Sequence, residues 1–121
     1  MATYSKDAIP VMEDAKKLCA HTLRLTNNLN NFPKKYRYTL VDRLVRTSFD
    51  IHDGISDANL SRGEERIKFQ TETIKSCRKM KFYLQCVYEV LKPSCNIVHW
   101  TGIVDRIENQ VVKWRASTKI K

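Results

Sequence analysis

Phe32-Pro33-Lys34-Lys35-Tyr36-Arg37-Tyr38-Thr39-Leu40-Val41-Asp42-Arg43-Leu44-Val45-Arg46 is the stretch that decides the fold. Pro33 suits the first turn of a helix, where its missing N–H is not needed. Beyond it, apolar residues recur at Tyr36, Leu40, Leu44, Ile51 and Ile55, the spacing of one helical face. The pattern predicts a helix over 33–59. Gly54 lies inside it at a cost of about 1 kcal/mol relative to Ala, so it marks an interior small-residue contact or a late kink. Lys34, Lys35 and Arg37 crowd the helix opening, and Arg43 and Arg46 follow. The macrodipole already makes that end positive, so cations there weaken the helix and invite an anion.

The other long segments read as partners of this helix. Upstream, Pro10 starts a helix predicted over 10–29. Met12, Ala15, Cys19, Thr22, Thr26 and Leu29 form its stripe, widened by Val11, Leu18 and Leu25 as in a bundle helix. Asn27, Asn28, Asn30 and Asn31 end it, because Asn is a weak helix former that tolerates left-handed backbone. Downstream, Asp57-Ala58-Asn59-Leu60-Ser61 is a turn, and Ser61-Arg62-Gly63-Glu64 has the form of a capping box. A third helix is predicted over 62–92, with Ile67, Ile74, Cys77, Lys81, Leu84, Tyr88 and Leu91 on its seam. Met80, Tyr83, Val87 and Val90 widen that seam. Lys81 is its one charge and either snorkels or faces a neighbouring subunit. Pro93 stops the helix, and Ser94 or Asn96 caps a fourth, predicted over 96–116. Ile97, Trp100, Val104, Ile107, Val111 and Trp114 alternate there by threes and fours. Four helices joined by short turns specify an all-α, up-down-up-down bundle, one domain over residues 1–121.

With 121 residues the chain has room for one core. Only 3 Gly and 3 Pro argue against a many-turned β fold, and 42% hydrophobic residues argue against disorder. No apolar run approaches the roughly 20 residues that span a bilayer. Met1 to Val11 lacks the apolar stretch of a signal peptide. The expectation is a cytoplasmic protein without a membrane partner. Cys19, Cys77, Cys86 and Cys95 show no paired spacing, which argues against zinc and fits reduced thiols.

Nothing in the sequence spells catalysis. His21, His52 and His99 read as single polar histidines on separate helices. There is no HExxH, no inward Glu-x-x-His pair, no Gly-rich phosphate loop and no G-x-S-x-G. Glu13, Asp42, Glu72 and Glu108 fall mainly off the seams. No catalytic residue, metal ligand or cofactor is expected, and the chain is not expected to be an enzyme.

What remains is charge. The formal total is +9, with +1 over residues 1–32, +1 over 33–60, +4 over 61–93 and +3 over 94–121. Such a surplus favours a polyanionic partner. The candidate nucleic-acid-binding residues fall in three groups. Lys34, Lys35 and Arg37 sit at the bundle end shared with the end of the third helix. Lys75, Arg78, Lys79 and Lys81 lie nearer that helix's middle, and the first three form one cationic face by their spacing. Lys113, Arg115, Lys119 and Lys121 reach the opposite end, close to Arg62 and Arg66. Tyr36, Tyr38 and Tyr83 could stack on bases, but core packing is their expected role.

Asn31-Phe32-Pro33-Lys34-Lys35-Tyr36-Arg37-Tyr38-Thr39-Leu40, followed by Arg43-Leu44, Ala58-Asn59 and Trp114, resembles the accessory variability determinant (Avd) family of diversity-generating retroelements. It also resembles the broader set of small bacterial four-helix-bundle proteins encoded in ribosomal RNA intervening sequences. The similarity covers most of the chain as four helices with comparable breaks. Its specific part is F-P-K-x-x-R-Y-x-L plus the tryptophan. The resemblance implies a basic homopentamer, a barrel-like ring that binds nucleic acid and a dedicated reverse transcriptase. Together these copy a template-repeat RNA into mutagenic cDNA, the chemistry belonging to the polymerase. Lys34, Lys35 and Arg37 match the family's basic helix opening. One departure concerns helix 4. Members often carry a glycine-containing segment before the tryptophan, whereas here it reads Glu108-Asn109-Gln110-Val111-Val112-Lys113-Trp114. The alternative expectation is an intervening-sequence-type bundle with a structural role.

Overall fold

Apolar spacing turns directly into burial. In the computed structural model, which describes residues 8–120, Leu44, Ile51 and Ile55 are fully buried and set the phase of the second long helix. The chain forms α1 (Ala8–Thr26), α2 (Asp42–Asn59), α3 (Gly63–Leu91) and α4 (Ile97–Ser117). Consecutive helices pack together, and α4 closes the square against α1. Antiparallel pairing is visible in contacts between early and late residues. Asp14 of α1 accepts from Gln110 Nε2 of α4 at 2.7 Å, and Arg115 Nη1 of α4 donates to Thr71 of α3 at 3.3 Å. The protein is an all-α four-helix bundle.

The core runs the length of the square. Leu18 of α1, Ile51 of α2, Leu84 of α3 and Trp100 and Ile107 of α4 are among its fully buried side chains. Each such side chain withdrawn from water contributes about 1.5–3 kcal/mol. α2 and α3 approach closely at Gly54, where an added Cβ would collide with Thr73 Oγ1. Of the two roles expected for this glycine, the small-residue contact is the one found.

Several local expectations are corrected. α1 ends at Thr26, leaving Leu29 outside it and exposed. Pro33 stands just before the helix as an extended residue (φ −56°, ψ 150°) rather than within its first turn. A 3₁₀ turn over Lys34–Tyr36 and a π turn over Arg37–Val41 then lead into α2. Ser61 does not cap α3 through its side chain. Its hydroxyl lies 2.7 Å from the Asp57 carbonyl and 3.0 Å from Glu65 Oε1, so it closes α2 and meets the neighbour of the expected glutamate. Asn96, not Ser94, caps α4, accepting from the His99 N–H at 2.9 Å. Lys92 ends α3 in the left-handed conformation (φ 43°) and donates its N–H to the Val87 carbonyl. Tyr88 and Val90, expected on the α3 seam, are both 61% exposed.

The linkers are tied as well. Asn31, buried between α1 and α2, accepts from the Ser94 N–H at 3.2 Å and the Ser94 hydroxyl at 2.9 Å. That holds the α1–α2 connection against the α3–α4 connection. At the other end Gln70 Nε2 donates to Thr118 Oγ1 at 2.9 Å.

Candidate nucleic-acid interface

A cation is useful to a polyanion only if no internal carboxylate already holds it. The structure sorts the expected residues on that criterion. Lys81 Nζ lies 2.7 Å from Asp105 and 2.8 Å from Glu108 on α4, and Arg78 Nε lies 3.5 Å from Glu108. Glu108 is largely buried, against the expectation that it lies off the seam, and Lys81 is engaged within its own chain. Burial disfavours the Lys81 ammonium, but hydrogen bonds to Asp105 and Glu108 carry its pKa above the ordinary 10.5.

Two arginines of the far end are structural. Arg66 donates through Nε to the Ala58 carbonyl at 2.9 Å and through Nη2 to the Asn59 carbonyl at 3.1 Å. Its guanidinium also stacks over Trp114, 5.7 Å from the ring centre. It thereby satisfies the last carbonyls of α2. Arg115 bonds Thr71. Arg62, Lys113 and Lys119 are exposed at that end, and Lys121 lies outside the described residues.

Lys75 and Lys79 stay exposed on α3 with no ion pair among the described residues. Lys79 borders a groove between α2 and α3 with Tyr38, Arg43 and Arg46. Arg43 lies over Tyr83, 5.9 Å from the ring centre, and Arg46 is paired with Asp42 at 3.0 Å. Tyr38 is 85% exposed, so it is not the core residue expected, while Tyr36 and Tyr83 are half-buried.

Lys34 and Arg37 are exposed and carry no ion pair among the described residues, and Lys35 lies over Tyr36 at 5.3 Å. Arg24, absent from the expected set, joins them from the last turn of α1. The sequence does hold a signal for it. From Ala15 to Val41 there are six cations and not one carboxylate. A boundary drawn between 32 and 33 divides that run and dilutes each half with acids from outside it.

Chemistry of other kinds finds little footing. His21 and His99 meet edge-on at 5.6 Å, and His21 contacts Trp100 in the same way. Among the described residues no three His, Cys, Asp or Glu side chains converge to hold a metal ion. Burial pushes the Cys77 thiol up to about 12 and raises Cys19 and Cys95, which makes them weak nucleophiles. Among the described residues no helix is long and apolar enough to cross a membrane.

The class defined by this fold and surface is a basic four-helix bundle with cations gathered at its α1–α2 end. No protein-family model and no curated protein matches the chain. Among solved structures it is similar to a protein of unknown function from the S23 ribosomal protein family of Bacteroides thetaiotaomicron. The TM-score is 0.81 at 10% sequence identity, covering 92% of this chain and 99% of that one. At that identity the likeness concerns the fold.

Proposed function

We propose that this chain is a nucleic-acid-binding accessory protein of a retroelement reverse transcriptase, of the Avd type. In this reading it works in the cytoplasm as a homopentamer and organises template RNA and polymerase for mutagenic cDNA synthesis. It supplies no chemistry of its own. The observation that carries the reading is the concentration of unpaired cations at the α1–α2 end, where the F-P-K-x-x-R-Y-x-L segment lies. Self-association has separate support in an apolar surface between α3 and α4. Tyr88 and Val98 (82% exposed) lie there beside Gly102, whose missing side chain has open space within 4 Å. A glycine that costs about 1 kcal/mol in a helix, with no neighbour requiring it inside the chain, suits a close approach from outside.

Co-expression with the reverse transcriptase encoded nearest to it is the decisive test. A complex that elutes together and retains RNA at low salt, losing it steeply as salt rises, is expected because phosphate contacts release counterions. Elution alone and free of nucleic acid overturns the reading. The second reading is an intervening-sequence-type four-helix bundle with a structural or unknown role, with which the fold shared with the S23-family bundle agrees. That same clean elution, alone and free of nucleic acid, would select it.

A further inference from the structure

The cations at the α1–α2 end surround a cleft of about 460 Å³ that opens to solvent. That volume lies in the range of small-molecule sites, roughly 300–1,000 Å³. Arg24, Lys34 and Arg37 line it, and among the described residues no carboxylate does. Its apolar wall is built from Leu23, Leu29, Phe32 and Val41, with Phe32 itself buried and fixed. The last turn of α1 is partly capped from within the chain. Thr26 Oγ1 donates to the Thr22 carbonyl at 2.7 Å, and the N–H groups of Asn27 and Asn28 donate to Leu23 and Leu25 at 3.2 and 3.3 Å. Those carbonyls are already satisfied. Arg37 and Val41, the two ends of the π turn, both face the cleft. π turns are rare and recur at functional sites.

We infer that this cleft binds the phosphomonoester of a nucleotide, with Arg24, Lys34 and Arg37 around the phosphate and the apolar wall against the sugar and base. A monoester carries about −1.5 to −2 charges at neutral pH, against −1 for a backbone diester, and so suits three cations with no acid among them. Guanidinium groups add directional, forked hydrogen bonds to phosphate oxygens. The Asn27 amide at the rim can reach a base edge from the same wall. An acyl chain would need an enclosed tunnel, which this open cleft lacks. The ligand is either a free nucleoside monophosphate or the 5′-phosphorylated end of a strand. The strand source rests on the nucleic-acid reading above; the free nucleotide does not.

The test compares two fluorescent oligonucleotides of one sequence, 5′-phosphorylated and 5′-hydroxyl, by anisotropy, with adenosine monophosphate as competitor. The phosphorylated strand should bind about tenfold tighter, the scale of one to two charge-assisted hydrogen bonds. Arg24→Ala and Arg37→Ala should each bring the ratio of the two affinities down to about one, over and above whatever both strands lose in common, while the melting temperature stays nearly unchanged. Both side chains are exposed, so the fold survives their removal. Equal affinity for the two strands, with no competition by the monophosphate, overturns the inference and leaves the nucleic-acid reading standing. Saturable monophosphate binding that Arg24→Ala abolishes, with neither strand bound, overturns that reading and assigns the cleft to a free nucleotide. No binding of strand or monophosphate overturns both.

Discussion

Replacing Gly54 by alanine probes the closest approach of α2 to α3. In an open helix this change stabilises by about 1 kcal/mol, because alanine has less backbone freedom to lose. At Gly54 the added methyl would collide with Thr73 Oγ1 and lie 3.3 Å from Thr73 Cβ and 3.7 Å from its Cα. Thr73 is buried, and its hydroxyl donates to the Phe69 carbonyl at 2.8 Å. Rotation can move the hydroxyl at the expense of that bond, but it cannot move Cβ. The two helices must therefore separate locally. Overpacking of this kind costs about 1–3 kcal/mol, which offsets the propensity gain and leaves the variant less stable by up to about 2 kcal/mol. Urea unfolding followed by circular dichroism reads this as a lower midpoint at constant slope. Adding Thr73→Ala removes the colliding hydroxyl, so the double variant should be more stable than the sum of the single changes by about 1 kcal/mol. If Gly54→Ala instead stabilises by about 1 kcal/mol, the close approach is wrong.

Lys81→Met leaves Glu108 with Arg78 alone and should destabilise by about 1–2 kcal/mol at neutral pH. Because the folded pKa of Lys81 is raised, its contribution is complete below 10.5 and lost as pH rises through the folded value, so the variant's stability curve should be flatter above 10.5. A curve identical to the parent's in that range would count against the pair. Burial, then the charges of His99 and Arg24, hold the His21 imidazole below its ordinary 6.5. The stability this contributes is present above 6.5 and is lost as pH falls through the folded value; the NMR midpoint of His21 should lie under 6.5 and rise in Arg24→Ala, and a midpoint above 6.5 would refute this. Arg66→Ala should lower stability by about 1–3 kcal/mol while leaving polyanion affinity nearly intact. Lys75→Ala with Lys79→Ala should do the reverse, weakening binding with stability changed by no more than about 0.5 kcal/mol. A binding loss confined to Arg66→Ala would invert the assignment.

How far the sequence could be read follows from what each feature depends on. The helices rest on local periodicity, which the sequence carries outright. The seam of α3 shows where that fails. Ile67, Ile74, Lys81 and Tyr88 repeat every seven residues, and a straight α-helix rotates about 20° per heptad against such a repeat. That row runs along the edge of the buried face, and its exposure rises from 2% at Ile74 to 61% at Tyr88. Thr73, Cys77, Met80, Leu84 and Val87, spaced by the same threes and fours in a different phase, fill the core instead. The partners of Lys81 were out of reach for another reason. Which α4 carboxylates stand opposite it depends on the register between two helices, and that is fixed by packing at Trp100, Val104 and Ile107 rather than by local pattern. The α2 opening was readable as cationic, but not as a π turn. The cleft joins Arg24 to Lys34 and Arg37 across a linker whose course the apolar spacing does not specify.

Two local costs coincide at that linker. Cations at the start of α2 oppose its macrodipole, and the π turn departs from the hydrogen-bond register that α2 keeps from Asp42 onward. Elsewhere the same chain resolves such conflicts. Glu108 and Asp105 receive Arg78 and Lys81, Asp14 receives Arg106 at 3.4 Å, and the α2 terminus receives Arg66. A sequence able to neutralise its charges across α3–α4 and α4–α1 leaves Arg24, Lys34 and Arg37 around one cleft with no carboxylate lining it among the described residues. Their mutual repulsion destabilises the folded chain alone and is relieved when an anion binds. Local inconsistency concentrated in one place, within a fold that is otherwise consistent, is where function is expected. The α1–α2 end is therefore the surface on which the nucleic-acid reading chiefly rests, with Lys75 and Lys79 of α3 adding to it.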